Sequence, residues 1–215
     1  MTDYQIERPR DLGLLVVIGG PGGSGSSTIA KILAEKWNLH RVCAGEIMRN
    51  KIEKKELSEY LVRQVTSHPE IDHSIDQFMV KMSYYPNILI EGKVFAVLAT
   101  QMGIPCTLKI WITADFSTRI QRILEREGLL KKRIFIGTDD PLYKETEEQL
   151  MRRQANDIKR YRKLYKADLT KPEKYNDIVI DTTGLNVPFT IHKIFDEIKH
   201  NDALSKRFSP KQLRY

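Results

Sequence analysis

The stretch LLVVIGGPGGSGSST, residues 14–28, decides how the rest of the chain is read. Leu14 to Ile18 is an unbroken apolar run, the pattern of a central strand covered on both faces. From Ser27 to Trp37, the residues Ile29, Ile32, Leu33 and Trp37 recur at helical spacing, while Lys31, Glu35 and Lys36 fall elsewhere. The glycine-rich turn between them fits G-x-x-x-x-G-x-[ST] except that Ser26 stands where the P-loop pattern has lysine. Glycines let a backbone approach a ligand closely, so that successive N–H groups converge on phosphate oxygens. The helix N-terminus adds partial positive charge at the same point. Gly20, Gly22, Gly23, Ser24, Gly25, Ser26, Ser27 and Thr28 are therefore candidates for holding nucleotide phosphates. The competing reading is a strand-to-helix turn made tight for packing alone.

Working outward, short apolar runs alternate with longer helical patterns, which predicts an α/β fold with a parallel sheet. Arg41–Cys43, Ile88–Ile90, Leu108–Ile112 and Asp177–Ile180 are the further strands, giving five with the first. Helices are predicted over Glu56 to Met82 with a break near Pro69, Val94 to Met102, Phe116 to Arg126, Glu145 to Tyr165 and Pro188 to Lys199. Residues 128–144 lack periodicity and are read as a mobile lid. Residues 1–204 read as one P-loop domain, and Ser205 to Tyr215 as a basic tail, frayed or weakly docked.

Composition narrows the partners. Lys+Arg 35 against Asp+Glu 28 leaves a net charge of +7, which favours polyanions. Cys43 and Cys106 are far apart and in no CxxC pair, so a disulfide framework is disfavoured and a cytoplasmic location is expected. No apolar run approaches the ~20 residues a membrane span needs. His40 with Cys43, and His68 with His73, lack the completing ligands of a transition-metal site.

A phosphoryl transferase between two nucleotides needs a second cationic cradle for the acceptor phosphate. Arg49, Lys93, Arg153 and Arg160 are the candidates. Arg153, Asp157 and Arg160 are spaced i, i+4, i+7 and so share one helical face. From Arg152 to Lys166 there are seven basic residues against Asp157 alone, too many for ion pairing within that span to neutralise. Glu91, at the carboxyl end of a strand, is a candidate for organising Mg²⁺ through water, with an ordinary buried carboxylate as the alternative. Arg119, Arg122 and Arg126 form a row leading into the lid. Arg122 and Arg126 are the members expected to reach transferred phosphate; a solvated basic face is the competing view.

The chain resembles the cytidylate kinases, particularly their short archaeal-type branch, from Leu14 to about Glu197. The matching pieces stand in order: the glycine-rich loop, AGEIMR at 44–49, HPEID at 68–72, ILIEGK at 88–93, LKIWITA at 108–114, RIQRILEREG at 119–128, RQANDIKRYRKLYKADL at 153–169 and YNDIVIDTT at 175–183. The resemblance implies a P-loop NTPase fold that transfers the γ-phosphoryl group of ATP to CMP or dCMP with Mg²⁺; a monomer is expected, though nothing in the residues argues for it. It implies that Ser27 ligates Mg²⁺ directly, that Arg49 contacts the acceptor phosphate, and that Arg153, Asp157 and Arg160 contact the acceptor nucleotide. It also implies that a small hydroxyl residue in place of the loop lysine is tolerated. Lys93 stands where the family commonly has arginine; lysine keeps the charge but loses the bidentate fork. Losing one charged donor removes roughly 1.5 to 3 kcal/mol of interaction, so another cation is sought, with Arg126, Lys131, Lys132 and Arg133 as candidates. Other acceptors such as AMP, or a non-catalytic nucleotide- or RNA-binding role, are the alternatives. Against RNA, the chain has no RNP pattern, KH loop or zinc knuckle.

Overall fold

A computed structural model of the chain describes residues 8–9, 11–51, 69–130 and 136–214, without the side chains of residues 49–51, 69 and 71. At its centre is β1 (Leu15–Gly19), whose five residues are all buried. Its side chains alternate between two cores, as the period of a strand requires. Val16 and Ile18 pack with Ile29 and Leu33 of α1 (Ser26–Lys36) on one face. Leu15 and Val17 pack on the other with Ile75 and Met79 of α3 (Pro69–Met82) and Phe95 of α4 (Phe95–Gln101).

The remaining strands are β2 (His40–Cys43), β3 (Ile88–Glu91), β4 (Leu108–Thr113) and β5 (Ile178–Asp181). They form one sheet in the order β2-β3-β1-β4-β5, and every pair is parallel. Because each strand runs the same way, Gly19, Cys43, Glu91, Thr113 and Asp181 end at one edge, where ligands of such sheets collect. The expected α/β class and five parallel strands are thus present. Short helix α2 (Ala44–Lys51) follows β2 directly, and α5 (Phe116–Arg126) follows β4.

Helix α6 (Pro141–Tyr165) starts four residues earlier than its sequence pattern suggests. The Asp140 carboxylate accepts from the Leu142 N–H, and Pro141 occupies the first turn, where its missing N–H is harmless. The described part of the region read as a lid is packed: Leu130 and Ile136 are buried against Ile120 and Leu124 of α5 and Tyr143 and Leu150 of α6. Lys131, Lys132 and Arg133 lie outside the described residues, as does the predicted helical stretch over 56–68.

The tail departs from expectation. After α7 (Val187–His200) and the single turn α8 (Asp202–Ser205), Phe208 is buried with its ring centroid 5.2 Å from that of Trp37. The Trp37 indole N–H donates to the Gln212 carbonyl at 2.8 Å. Leu213 packs on the same core, and Arg207 reaches the Thr107 carbonyl. Phe208 fills the aromatic slot beside Trp37 and Phe195, which explains why a charged segment docks here. Phe208→Ala is expected to lower stability by about 3 kcal/mol, read from the urea unfolding midpoint. A frayed tail would lose less than about 0.5 kcal/mol, as surface changes do.

Candidate active site

The loop of residues 20–25 wraps over the end of β1 and is held from below. Ideal Cβ atoms show how tightly. One on Gly20 would lie 2.4 Å from the Ile112 carbonyl oxygen, and one on Gly23, where φ is +81°, would lie 2.6 Å from that of Arg119. Gly25 caps α1 in a left-handed conformation and no side chain caps the helix. The first N–H groups of α1 have no carbonyl within the helix to bond, as at any helix start, although that of Thr28 reaches the Gly25 carbonyl at 3.1 Å. The Ser26, Ser27 and Thr28 side chains stand at this end, Ser27 and Thr28 exposed. Ser24 turns inward and is buried, its N–H donating to the Pro21 carbonyl.

Two arginines of α5 grip the loop. Arg122 donates to the Ser24 carbonyl at 3.0 Å, to the Thr182 hydroxyl at 2.9 Å, and to the Thr182 and Leu185 carbonyls. Its fork therefore ties the loop to the segment after β5, whereas the sequence suggested a group aimed at transferred phosphate. Arg119 donates through Nε to the Gly22 carbonyl at 2.8 Å and through Nη1 to Gln154 at 2.8 Å. Sequence reasoning assigned Arg119 no role beyond its place in the row, yet it is 3% exposed. Arg126, one turn further on, is exposed and paired with Glu127, so the structure does not bring it to the loop.

At the end of β3, Glu91 is buried and accepts from three donors. The Ser27 hydroxyl reaches its Oε1 at 2.5 Å, and the Arg41 Nε and Nη2 reach Oε2 at 2.8 and 2.5 Å. Arg41 also pairs with Glu46 at the start of α2. Arg41 escaped the sequence reading because its main partner is fifty positions away; an arginine on an edge strand was the only signal. Ser27 and Glu91 place two hard oxygen donors side by side beside the loop. That chemistry fits Mg²⁺, which takes one or two protein oxygens and completes its shell with phosphates and water.

Across the cleft, α6 presents the second cluster. Lys93 is ion-paired with Asp157, and Arg160 bridges Asp157 at 2.9 Å and Asp72 of α3 at 3.3 Å. Arg160 also lies over the Tyr161 ring, 4.3 Å from its centroid. Burial works to raise the Asp157 pKa, but Lys93 and Arg160 outweigh it and hold the carboxyl below its usual range. Burial lowers the Lys93 pKa against the pull of Asp157. Arg153, on the same face, is exposed, lies close to Gly22 and has no hydrogen-bond or ion-pair partner among the described residues. Lys93, Arg153 and Asp157 line one cavity of about 340 Å³ with Pro21, Gly22, Arg119 and Gln154. Trp111, Leu150, Ile158 and Pro172 give it apolar walls. Arg49 lies on α2, and its side chain is outside the described residues.

The glycines separate by role. Gly22→Ala has room, since its Cβ would meet only Leu150 at 3.6 Å and Arg153 at 3.8 Å. Gly22→Ala is expected to fold normally and bind MgATP more weakly, whereas Gly23→Ala is expected to lose about 2 kcal/mol of stability or more through the clash and the positive φ. Circular dichroism melts with nucleotide titrations separate the two outcomes. A second expectation concerns Asp76 of α3, which accepts from the Tyr165 hydroxyl at 2.5 Å. Burial raises its pKa to about 6 despite that bond. The folded state thus holds the proton more tightly than the unfolded chain. The contribution is fully present below about pH 4 and is lost as pH rises through about 6. Asp76→Asn is expected to remove roughly 2 kcal/mol of this pH dependence, read from unfolding midpoints at pH 4.5 and 7.

Residues 18–135 match the AAA domain family, and residues 96–184 match the Cytidylate kinase-like family. Cytidylate kinase from Methanocaldococcus jannaschii is 36% identical over 179 residues, covering 81% of this chain and 91% of that protein. Cytidylate kinase from Pyrococcus horikoshii is 30% identical, covering 95% and 97%. Among solved structures, shikimate kinase from Bacteroides thetaiotaomicron superposes with a TM-score of 0.53 at 10% identity, covering 90% of this chain and 98% of that one, which supports the fold alone. With the phosphate loop on a parallel sheet and relatives of this identity covered over most of their length, the chain belongs to the cytidylate kinase family and is a P-loop nucleoside monophosphate kinase.

Proposed function

We propose that the chain transfers the γ-phosphoryl group of ATP to CMP or dCMP, giving CDP or dCDP and ADP. The observation that carries this reading is one cavity lined both by Pro21 and Gly22 of the phosphate loop and by Lys93, Arg153 and Asp157. Donor and acceptor phosphates gathered there would meet in line, and positioning with charge stabilisation supplies most of the catalysis in such a transfer.

In this reading the loop amides and the hydroxyls of Ser26, Ser27 and Thr28 hold the donor phosphates. Ser27 would hold Mg²⁺ directly and Glu91 would hold it through water, and the ion would supply charge neutralisation at the phosphates. Arg41 holds Glu91 in place for that task. Arg153 and Arg49 take the acceptor phosphate. Asp157, kept ionised by Lys93 and Arg160, accepts from a ribose hydroxyl or the cytosine amine. Arg160 positions Asp157 against Asp72, and Arg122 positions the loop.

No helix among the described residues is long and apolar enough to cross a membrane, and both cysteines are free thiols. The thiols support a reducing, cytoplasmic setting. The decisive measurement is ATP- and Mg²⁺-dependent conversion of CMP, dCMP, UMP, AMP and GMP. CMP and dCMP are expected to exceed the others by at least tenfold in kcat/KM. Preference for AMP would reassign the acceptor, and no turnover of any of the five at saturating ATP would end the enzymatic reading.

A further inference from the structure

The loop lacks a lysine at Ser26, yet the structure puts another cation against it. Arg119 is the first member of the α5 row, and α5 begins where the Asp115 carboxylate caps the helix by accepting from the Thr118 N–H. The close fit of Gly23 on the Arg119 backbone brings this first turn onto the loop. The side chain then lies along the loop, its Nε on the Gly22 carbonyl and its Nη1 on Gln154. The plane rests on the Phe116 ring, 4.6 Å from the centroid. Its Nη2 is buried and has no hydrogen-bond partner among the described residues.

An unsatisfied donor on a buried charge is costly, and such a group is normally retained for a ligand that completes it. No carboxylate pairs with Arg119 among the described residues; its two protein acceptors, the Gly22 carbonyl and the Gln154 side-chain oxygen, are neutral. It lines the cavity that also contains Pro21, Gly22 and Arg153. A neutral-bonded, otherwise uncompensated guanidinium beside a helix N-terminus is matched to an anion, and its planar fork suits phosphate oxygens. Burial, followed by the nearby charge of Arg153, lowers its pKa, which is the direction an uncompensated cation takes before its anion arrives.

We propose that Arg119 is the cation that replaces the missing loop lysine, its Nη2 donating to the β/γ-phosphate oxygens of the bound nucleoside triphosphate. This rests on the reading of residues 20–28 as the ATP loop. It differs from the sequence expectation, which sought the replacement among Arg126 and the lid cations. The cation enters from α5 in place of α1, fixed to the loop backbone before nucleotide binds.

The test is a titration of MgATP, without acceptor, into the parent, Arg119→Met, Arg119→Lys, Ser26→Lys and the double variant Arg119→Met/Ser26→Lys, with melting temperatures recorded alongside. Loss of one charge-assisted donor predicts a 10- to 150-fold weaker MgATP affinity for Arg119→Met, part of it regained in Arg119→Lys. Adding Ser26→Lys to Arg119→Met is expected to restore at least tenfold, and by a larger factor than the same change gives in the parent. An affinity within threefold of the parent for Arg119→Met overturns the proposal. So does failure of Ser26→Lys to restore affinity, because Arg119 would then only fasten the loop. Binding is read without turnover, so a protein that binds MgATP and phosphorylates no nucleotide would remove the kinase reading while leaving this assignment to the titration.

Discussion

The backbone of the phosphate loop lies so close to β4 and α5 that no side chain fits at Gly20 or Gly23. Most of the site depends on that approach. Without it, the first turn of α5 would stand off from the loop, and neither Arg119 nor Arg122 could reach the Gly22 and Ser24 carbonyls. The two arginines bond these carbonyls and so fix the course of the loop backbone; successive N–H groups of a loop held in this way can converge on an anion.

The acceptor side solves a different problem. Lys93, Arg160, Asp157 and Asp72 form a linked set of charges on three elements, β3's end, α6 and α3. Buried ion pairs of this kind add little net stability, because desolvation offsets the attraction. Their effect here is positional. Asp157 cannot rotate without leaving Lys93 uncompensated among the described residues and taking a carboxylate from Arg160, which also pairs with Asp72, so its side chain is held in one orientation. Lysine at 93, in place of a bidentate arginine, becomes understandable once its partner is a carboxylate of the chain: a single ammonium suffices for one oxygen.

What the sequence made legible and what it hid divide along one physical line. The apolar run of β1, the glycine turn and the i, i+4, i+7 face of α6 are local patterns, and the structure contains each. Arg41, Arg119 and the docked tail depend on contacts between distant segments. The row of Arg119, Arg122 and Arg126 reads as one stripe, but the loop meets only the first two turns of α5. One stripe therefore holds a buried cation, a fastener and a solvent-exposed ion pair. The tail's basic residues argued for solvent, whereas Phe208 and the Trp37 slot decide its position. Charge composition says nothing about such a slot.

The excess of positive charge now has a distribution in space. Along α6, Arg152 and Arg162 pair outward with Glu148 and Asp168, and Arg160 pairs inward. Of the basic groups that line the cavity, Lys93 is matched by Asp157, while Arg119 and Arg153 face it without a carboxylate partner among the described residues. Two cations approaching one space repel each other, which is why Arg153 contributes to lowering the Arg119 pKa. A phosphate between them would remove that repulsion and gain two charge-assisted contacts at once. The protein thus gives one cavity two cations without carboxylate partners among the described residues, one fixed to the loop and one exposed on α6, and an anion is the group that would relieve them.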